Sequence, residues 1–355
     1  MPFMPDEIED ITNTVLATIL KKNKWTDLSM PLQFLTVAEF FLKDLAKDPV
    51  QSGPTQTWPV QYANTGTARM SELFGQDVTS RTNIMTRGTQ QWCLPTGNFI
   101  YDVREEIFQQ DDVARLCDHL EVLIHSARTT GLILFENQMW TAPASSSQRP
   151  RNLSGIPHWV IKNSAPGFNG GDPSGFSDGA GGLPVSLVPN AQNWTGTYSE
   201  VTNDGLFDQM RRACQMTYFK APDPYKSATP MKQDWVFYTD GETRLEVQKE
   251  LMNLNDNIGT DVGKYKGLGT FSGVPFDWVP IFTEDSTSSA YDTSRPVYGL
   301  NMNSFLFQFQ TGKALHFGKP HLAQNYEHNV LQRDWDASCN MLCMDRRTNF
   351  VFYKA

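Results

Sequence analysis

The stretch Asp112–Gln138, DVARLCDHLEVLIHSARTTGLILFENQ, sets Val113, Leu116, Leu120, Leu123, Ala127, Thr130 and Leu134 at alternating spacings of three and four residues. That is the period of one face of an α-helix. Asp111 and Asp112 suit its N-terminal end, where the helix dipole is positive, and no proline interrupts it. At 1.5 Å per residue the helix is roughly 40 Å long. A coiled coil is the competing reading, but the repeat stops after about three heptads and its flanks read as strands.

Upstream of this helix the chain changes character twice. Asp6–Lys22 places Ile8, Ile11, Val15, Leu16 and Ile19 at helical spacing, with acids early and lysines late. A second helix is expected after Pro31, where Leu35, Ala38, Phe41, Leu42 and Leu45 share a face until Pro49. From Gln51 to Val103 the sequence turns to short Thr-, Gln- and Arg-containing stretches punctuated by Gly53, Gly66, Gly75, Gly88 and Gly97, the pattern of an extended β-hairpin. It offers little to fill a core, and a polar segment of that length suggests contact with another chain.

Downstream, residues 164–196 form a loop rich in Gly, Pro, Ser and Asn, too long for a simple connector and expected at a surface or interface. A helix is expected over Asp204–Phe219, a strand at Trp235–Tyr238, a turn at Asp240–Gly241 and a helix from Glu242 to about Leu254. Apolar strands follow in 268–282, from Val297 continuously through Phe309, and in 340–353. The order is mixed α+β, without internal repeats or regular βαβ alternation.

Composition narrows the function classes. The 355 residues are ample for one large or two interleaved domains. A formal charge of -9 and the lack of any dense Lys/Arg run argue against a nucleic-acid reader. The five cysteines, Cys93, Cys117, Cys214, Cys339 and Cys343, are odd in number and scattered, which reads as reduced thiols. Met1–Asp10 is acidic and has no uninterrupted apolar stretch, so it reads as neither signal nor anchor, and no later stretch approaches a membrane span. Asn152-Leu153-Ser154 and Asn193-Trp194-Thr195 match a glycosylation pattern by chance.

Each fragment of catalytic chemistry has a plainer reading. Gly175-Phe176-Ser177-Asp178-Gly179 fits a nucleophile elbow, but neither an apolar strand before it nor a helix after it supplies the required strained turn, so it reads as loop. Residues 259–264, Gly-Thr-Asp-Val-Gly-Lys, are one residue short of a phosphate loop and are followed by Tyr265 where a metal-binding hydroxyl belongs. Cys339 and Cys343 with His321 or His328 lack a standard zinc spacing. His316, His321 and His328 lie near Glu284, Asp285, Asp334 and Asp336 in sequence, but no pair has a diagnostic spacing for acid/base work. Glu105–Glu106 and Asp111–Asp112 read as the solvated start of a helix. The nine tryptophans are spread along the chain and read as core and interface anchors, with Trp58 and Trp92 in the hairpin as interface candidates. No catalytic residue, cofactor or metal is assigned. A carbohydrate-binding or carbohydrate-active protein, from the tryptophans and polar loops, and a serine hydrolase, from Ser177, are the alternatives from other classes.

Helical N-terminal segment, polar hairpin, long helix, mixed segment and late apolar strands follow in an order that resembles the Hong Kong 97-type major capsid proteins of tailed double-stranded-DNA phages. The residue-level likeness lies in Phe271-Ser272-Gly273-Val274-Pro275-Phe276, Val297-Tyr298-Gly299-Leu300-Asn301 and Cys343-Met344-Asp345-Arg346-Arg347. The resemblance implies an N-terminal arm at 1–50, an E-loop at 51–103 and an axial domain at 160–296. A peripheral domain follows from 104–159 with 297–355 and includes a spine helix at 112–138. It implies a non-enzymatic protein that self-assembles as hexamers and pentamers into an icosahedral shell, built in the host cytoplasm and ending in the virion. Portal, scaffolding and decoration proteins and packaged DNA, held without sequence specificity, are the implied partners, and no membrane is. Arg69, Arg81 and Arg87 in the hairpin are candidates for contact with acidic patches on adjacent subunits. There is no long N-terminal extension like a fused scaffold, and no residues match a cross-linking site.

Overall fold

The computed structural model describes residues 36–37, 53–70, 72–73, 82–102, 119–148, 152–218, 234–253, 270–282, 294–313, 316–322 and 330–355. The chain divides into two compact units, one of Met1–Gln51, Leu94–Gln138 and Phe309–Cys339, the other of Ser52–Cys93, Met139–Gln308 and Asn340–Ala355. Helices and sheets are mixed, as the α+β reading expects. The two helices expected before Pro49 lie outside the described residues apart from Thr36 and Val37.

In the first unit, β3 (Thr96–Asp102) pairs antiparallel with β12 (Val330–Asp336) from Thr96↔Asp336 to Asp102↔Val330. The two-residue strands β10 (His316–Phe317) and β11 (His321–Leu322) pair with the other edge of β12. Alternation gives this sheet an aromatic face. Phe99 lies 6.5 Å from Phe317 between ring centroids, and the guanidiniums of Arg128 and Arg333 lie 5.6 and 5.5 Å from the Phe317 ring. Buried Trp335 lies so close over Gly97 that a Cβ there would stand 2.3 Å from its Nε1. β3, which lies within the stretch expected as hairpin, pairs with β12 and not with β1 or β2, setting Gly97, Phe99 and Tyr101 opposite Trp335, Arg333 and Leu331.

Arg128 sits on the long helix α1 (His119–Met139), described over 21 residues, or about 30 Å. The stretch 112–118 lies outside the described residues. The buried stripe is rotated from the expected one. Thr129, Phe135, Glu136 and Met139 are buried, Leu123, Ala127 and Leu134 are half-buried, and Thr130 is exposed. The helix is apolar on nearly every side, with Val122, Ile124, Leu132 and Ile133 also half-buried, so spacing alone does not select its inner face.

The second unit is built on a six-stranded mixed sheet in the order β4-β14-β8-β5-β7-β6. Its strands are β4 (Trp194–Tyr198), β5 (Trp235–Thr239), β6 (Thr270–Phe271), β7 (Val274–Trp278), β8 (Val297–Asn301) and β14 (Phe350–Lys354). β4 runs parallel to β14 and β7 parallel to β5, while β8 is antiparallel to both β14 and β5. One face sets Phe237, Phe276, Phe350 and Phe352 against Leu206, Phe207, Met210 and Ala213, with Val247 in the same cluster. These last five come from a π-turn at Asn203–Phe207, from α3 (Asp208–Met216) and from α4 (Gly241–Asn253); α2 is a single turn, Ile156–Trp159. On the other face Trp140 packs edge-on to Tyr238 and Phe282, at 5.3 and 4.9 Å between centroids. A sheet covered on both faces carries apolar side chains in both directions, which is why its strands read as continuous apolar runs.

Local chemistry sets several boundaries. Fully buried Asp240 accepts the Thr243 N–H at 3.1 Å, so the expected turn at Asp240–Gly241 is the capped start of α4. The expected strand from Val297 through Phe309 is broken. Asn301 Oδ1 accepts from Asn303 N at 3.3 Å and a 3₁₀ turn over Met302–Ser304 redirects the chain, so β9 (Phe305–Phe309) pairs with β13 (Cys339–Cys343) instead.

Candidate assembly surface

The hairpin is made of β1 (Thr55–Gln61) and β2 (Met85–Gln91), paired from Thr55↔Gln91 to Gln61↔Met85. Period-two alternation turns Gln56 and Trp58 on one strand, and Gly88 and Gln90 on the other, to the inside. Trp58 lies directly over Gly88, where a Cβ would stand 2.3 Å from its Cε2, and meets Trp159 at 6.3 Å between centroids. Gln90 Nε2 donates to Ser154 Oγ at 2.5 Å, Ser154 N donates to Asn340 Oδ1 at 3.2 Å, and Asn340 Nδ2 donates to Gln91 O at 2.6 Å. Thr89 N also donates to Gly181 O at 2.7 Å, and Trp92 Nε1 to Gly53 O at 2.8 Å. The hairpin base is thus riveted to its own unit. This corrects the expectation that the segment has little to place in a core: its inward residues are glutamine, glycine and one tryptophan, which carry no apolar pattern.

The outward side and the tip differ. Thr57, Pro59, Gln61, Met85, Arg87, Thr89 and Gln91 are exposed. Beyond Gln61 residues 62–70 form neither helix nor strand, and Gly66 turns the backbone with φ 63°. Arg69 is exposed there, and Met70 and Leu73 are almost wholly so. Arg81 lies outside the described residues. Of the five interface candidates, Arg69 and Arg87 are on the outer surface, whereas Trp58 and Trp92 are committed to packing in their own unit. Sequence reading passed over Met70 and Leu73, although two large apolar residues in an otherwise polar run are a usable signal.

The other sequence candidates disperse. Ser177 is exposed on a loop with neither strand nor helix beside it, so it lacks an elbow's setting. Cys93, Cys339 and Cys343 are buried and Cys214 half-buried, none of them in a disulfide, and Cys117 lies outside the described residues. His321 Nε2 stands 3.6 Å from Asp334 Oδ2, and His316 is paired across the strands with Asp336. Among the described residues no group of three or more His, Cys, Asp or Glu is placed to hold a metal. His328, Glu105, Glu106, Asp111, Asp112, Glu284, Asp285 and the glycine stretch 259–264 lie outside the described residues. Trp58, Trp92, Trp140, Trp159, Trp194 and Trp335 are buried, while Trp235 and Trp278 are half-buried, Trp235 lying 5.4 Å from Phe350 between ring centroids. Asn193, in one glycosylation-like triplet, is fully buried, and no helix among the described residues is long and apolar enough to cross a membrane.

The 164–196 loop is drawn inward, with Phe176, Leu183 and Val188 buried, and β4 begins within its expected span at Trp194. Its clasp is Arg346, from the stretch Cys343-Met344-Asp345-Arg346-Arg347, whose residue type by itself signals a surface cation.

No family model and no curated protein matches the sequence. Solved structures do match its fold. A chain of the Cyanophage A-1(L) capsid asymmetric unit superposes with a TM-score of 0.62 at 13% identity, over 94% of this chain and 96% of that one. A chain in the capsid of Myoviridae phage XM1 gives 0.53 at 9% identity over 93% and 96%, and one in the capsid of a native GTA particle gives 0.52 at 11% over 93% and 94%. Over nearly its whole length the chain has the fold of chains that occur in these capsids.

Proposed function

We propose that this chain, having the fold found in phage capsids, is the major capsid protein of a tailed double-stranded-DNA phage, self-assembling into the icosahedral shell around the genome. The observation that carries the reading is the likeness of fold, which runs through both units and leaves no large segment over for a separate activity. The hairpin supports it: its base is fastened to the chain's own unit, while its tip presents Arg69, Met70 and Leu73 to the outside. A closed shell needs each subunit to reach its neighbours by such surfaces.

In this reading residues 1–50 are the N-terminal arm, β1 and β2 with their tip are the E-loop, and α1 is the spine helix. The peripheral domain is built around α1, β3 and β10 to β12, and the axial domain around the six-stranded sheet, which takes β8 and β14 from the 297–355 stretch that the resemblance assigns to the peripheral domain. The protein acts structurally and not as an enzyme. Hexamers and pentamers of itself, a portal and scaffolding and decoration proteins are its partners, with assembly in the host cytoplasm. Arg69 and Arg87 are its intersubunit contacts, with Arg81 the third candidate, while Trp58 and Trp92 serve the interface indirectly by holding the hairpin in place.

Negative-stain microscopy and light scattering of the purified chain test the proposal. Spherical shells, or hexamers and pentamers, are expected; a strict monomer at high concentration would refute it.

A further inference from the structure

Glu136, on α1, is fully buried, and its carboxylate accepts the Thr36 hydroxyl at 2.5 Å and the Val37 N–H at 3.1 and 3.3 Å. The partners stand about a hundred residues apart in sequence and within the same unit. Val37 is itself fully buried and helical, and the run Ala38, Phe41, Leu42 and Leu45 that follows has helical spacing. The first N–H groups of a helix have no partner within it, and its N-terminal end carries partial positive charge. A carboxylate there answers both needs. Conversely, a fully buried acid side chain is tolerated only where hydrogen-bond donors meet it, so contact and burial sustain each other.

We infer that Glu136 is a latch that fastens the N-terminal segment to the long helix, and that weakening it releases this segment while the second unit stays folded. Under the capsid reading, such a latch decides whether an arm stays on its own subunit or reaches a neighbour; the latch itself does not depend on that reading.

Hydrogen-exchange mass spectrometry on the unassembled full chain tests it, comparing peptides over 31–45 with peptides over 235–253. Glu136→Gln keeps the shape but leaves one acceptor oxygen and turns an amide N–H₂ toward the Val37 N–H. It is expected to speed exchange in 31–45 by about tenfold or more, the loss of a charge-assisted buried bond. Thr36→Val removes only the hydroxyl and is expected to give a smaller increase in the same peptides. Exchange in 235–253 is expected to stay unchanged in both. Unaltered exchange over 31–45 in both variants would overturn the latch, as would an equal rise over 235–253 in Glu136→Gln. If Glu136→Gln does not fold, Thr36→Val decides alone: a rise confined to 31–45 supports the latch, and none refutes it. Because the measurement precedes assembly, failure of the latch and failure of the capsid reading are separate results.

Discussion

Arg346 donates through Nε to Trp159 O at 2.7 Å, through Nη1 to Ala191 O at 2.8 Å, and through Nη2 to Gly170 O and Gly171 O, both at 2.9 Å. It is almost wholly buried, and burial pushes its pKa down to about 10. Four carbonyls, one at the end of α2 and three from the 164–196 loop, converge on a planar fork, which a single ammonium cannot reproduce. Arg346→Lys therefore leaves buried carbonyls without donors and should destabilise the protein by about 2–3 kcal/mol or more, read as a lower urea midpoint. An unchanged midpoint would show that the clasp is dispensable. Burial first, and Asp345 second, push the Cys343 thiol from its ordinary 9.0 up to about 12, and burial pushes Cys214 up to about 11. In the unfolded chain both ionise near pH 9, so their contribution to stability is whole below that pH and drains away as pH climbs toward the folded values. For Cys343 the loss is about 1 kcal/mol by pH 10. Denaturation curves at pH 8 and pH 10 should show the fall, and Cys343→Ala should lessen it.

At the scale of the element, the hairpin joins a fastened base to an outward tip. Gly88→Val would drive two methyl groups into the Trp58 ring, since even a Cβ there meets the indole at 2.3 Å. Overpacking of this kind costs about 1–3 kcal/mol. The expected signature is a lower melting temperature with a red shift in tryptophan emission as Trp58 is exposed, and an unshifted spectrum would mean that the hairpin is anchored elsewhere. Replacing residues 63–83 by a two-residue Asn-Gly turn keeps β1, β2 and β3 and closes on Tyr62 and Ile84, whose N–H and carbonyl meet at 3.0 Å just beyond the pair Gln61↔Met85. This variant should stay folded yet fail to form shells, and normal particles in electron micrographs would remove the tip from assembly. Deleting all of 51–103 is a poorer experiment, because it takes β3 from the sheet of the first unit.

For the whole molecule, the proposed shell would form through surfaces that a single chain leaves uncovered. Arg69 and Arg87 are exposed, so with both reversed to glutamate the isolated subunit should stay folded, as read by circular dichroism. Assembly yield by light scattering should nevertheless collapse, with the deficit greatest at low salt, where like charges repel furthest. Full assembly of the double variant would assign the subunit contact to other residues. With a net charge of -9, acidic surface on a neighbouring copy is the proposed target of these arginines.

Sequence by itself determined what repeats along the chain or depends on immediate neighbours: α1 and its end, the span of α4, the strands around Trp235, Val297 and Phe350, and the hairpin as a hairpin. These are periodic patterns of three to four or of two residues, which local sterics and one-sided burial impose. Even the order of elements was enough to suggest the fold. Tertiary structure alone decided which strands pair and which side chains are inside. β3 joins β12 some 230 residues later because its aromatic face fits there, and neither strand records the other in its own pattern. The hairpin base is buried through Gln56, Gly88 and Gln90, whose composition signals solvent, because hydrogen bonds to Ser154 and the closeness of Trp58 make that burial tolerable. Arg346 and Glu136 are the same case with charge. Their residue types say surface, and only carbonyls and N–H groups brought from distant parts of the chain satisfy them inside.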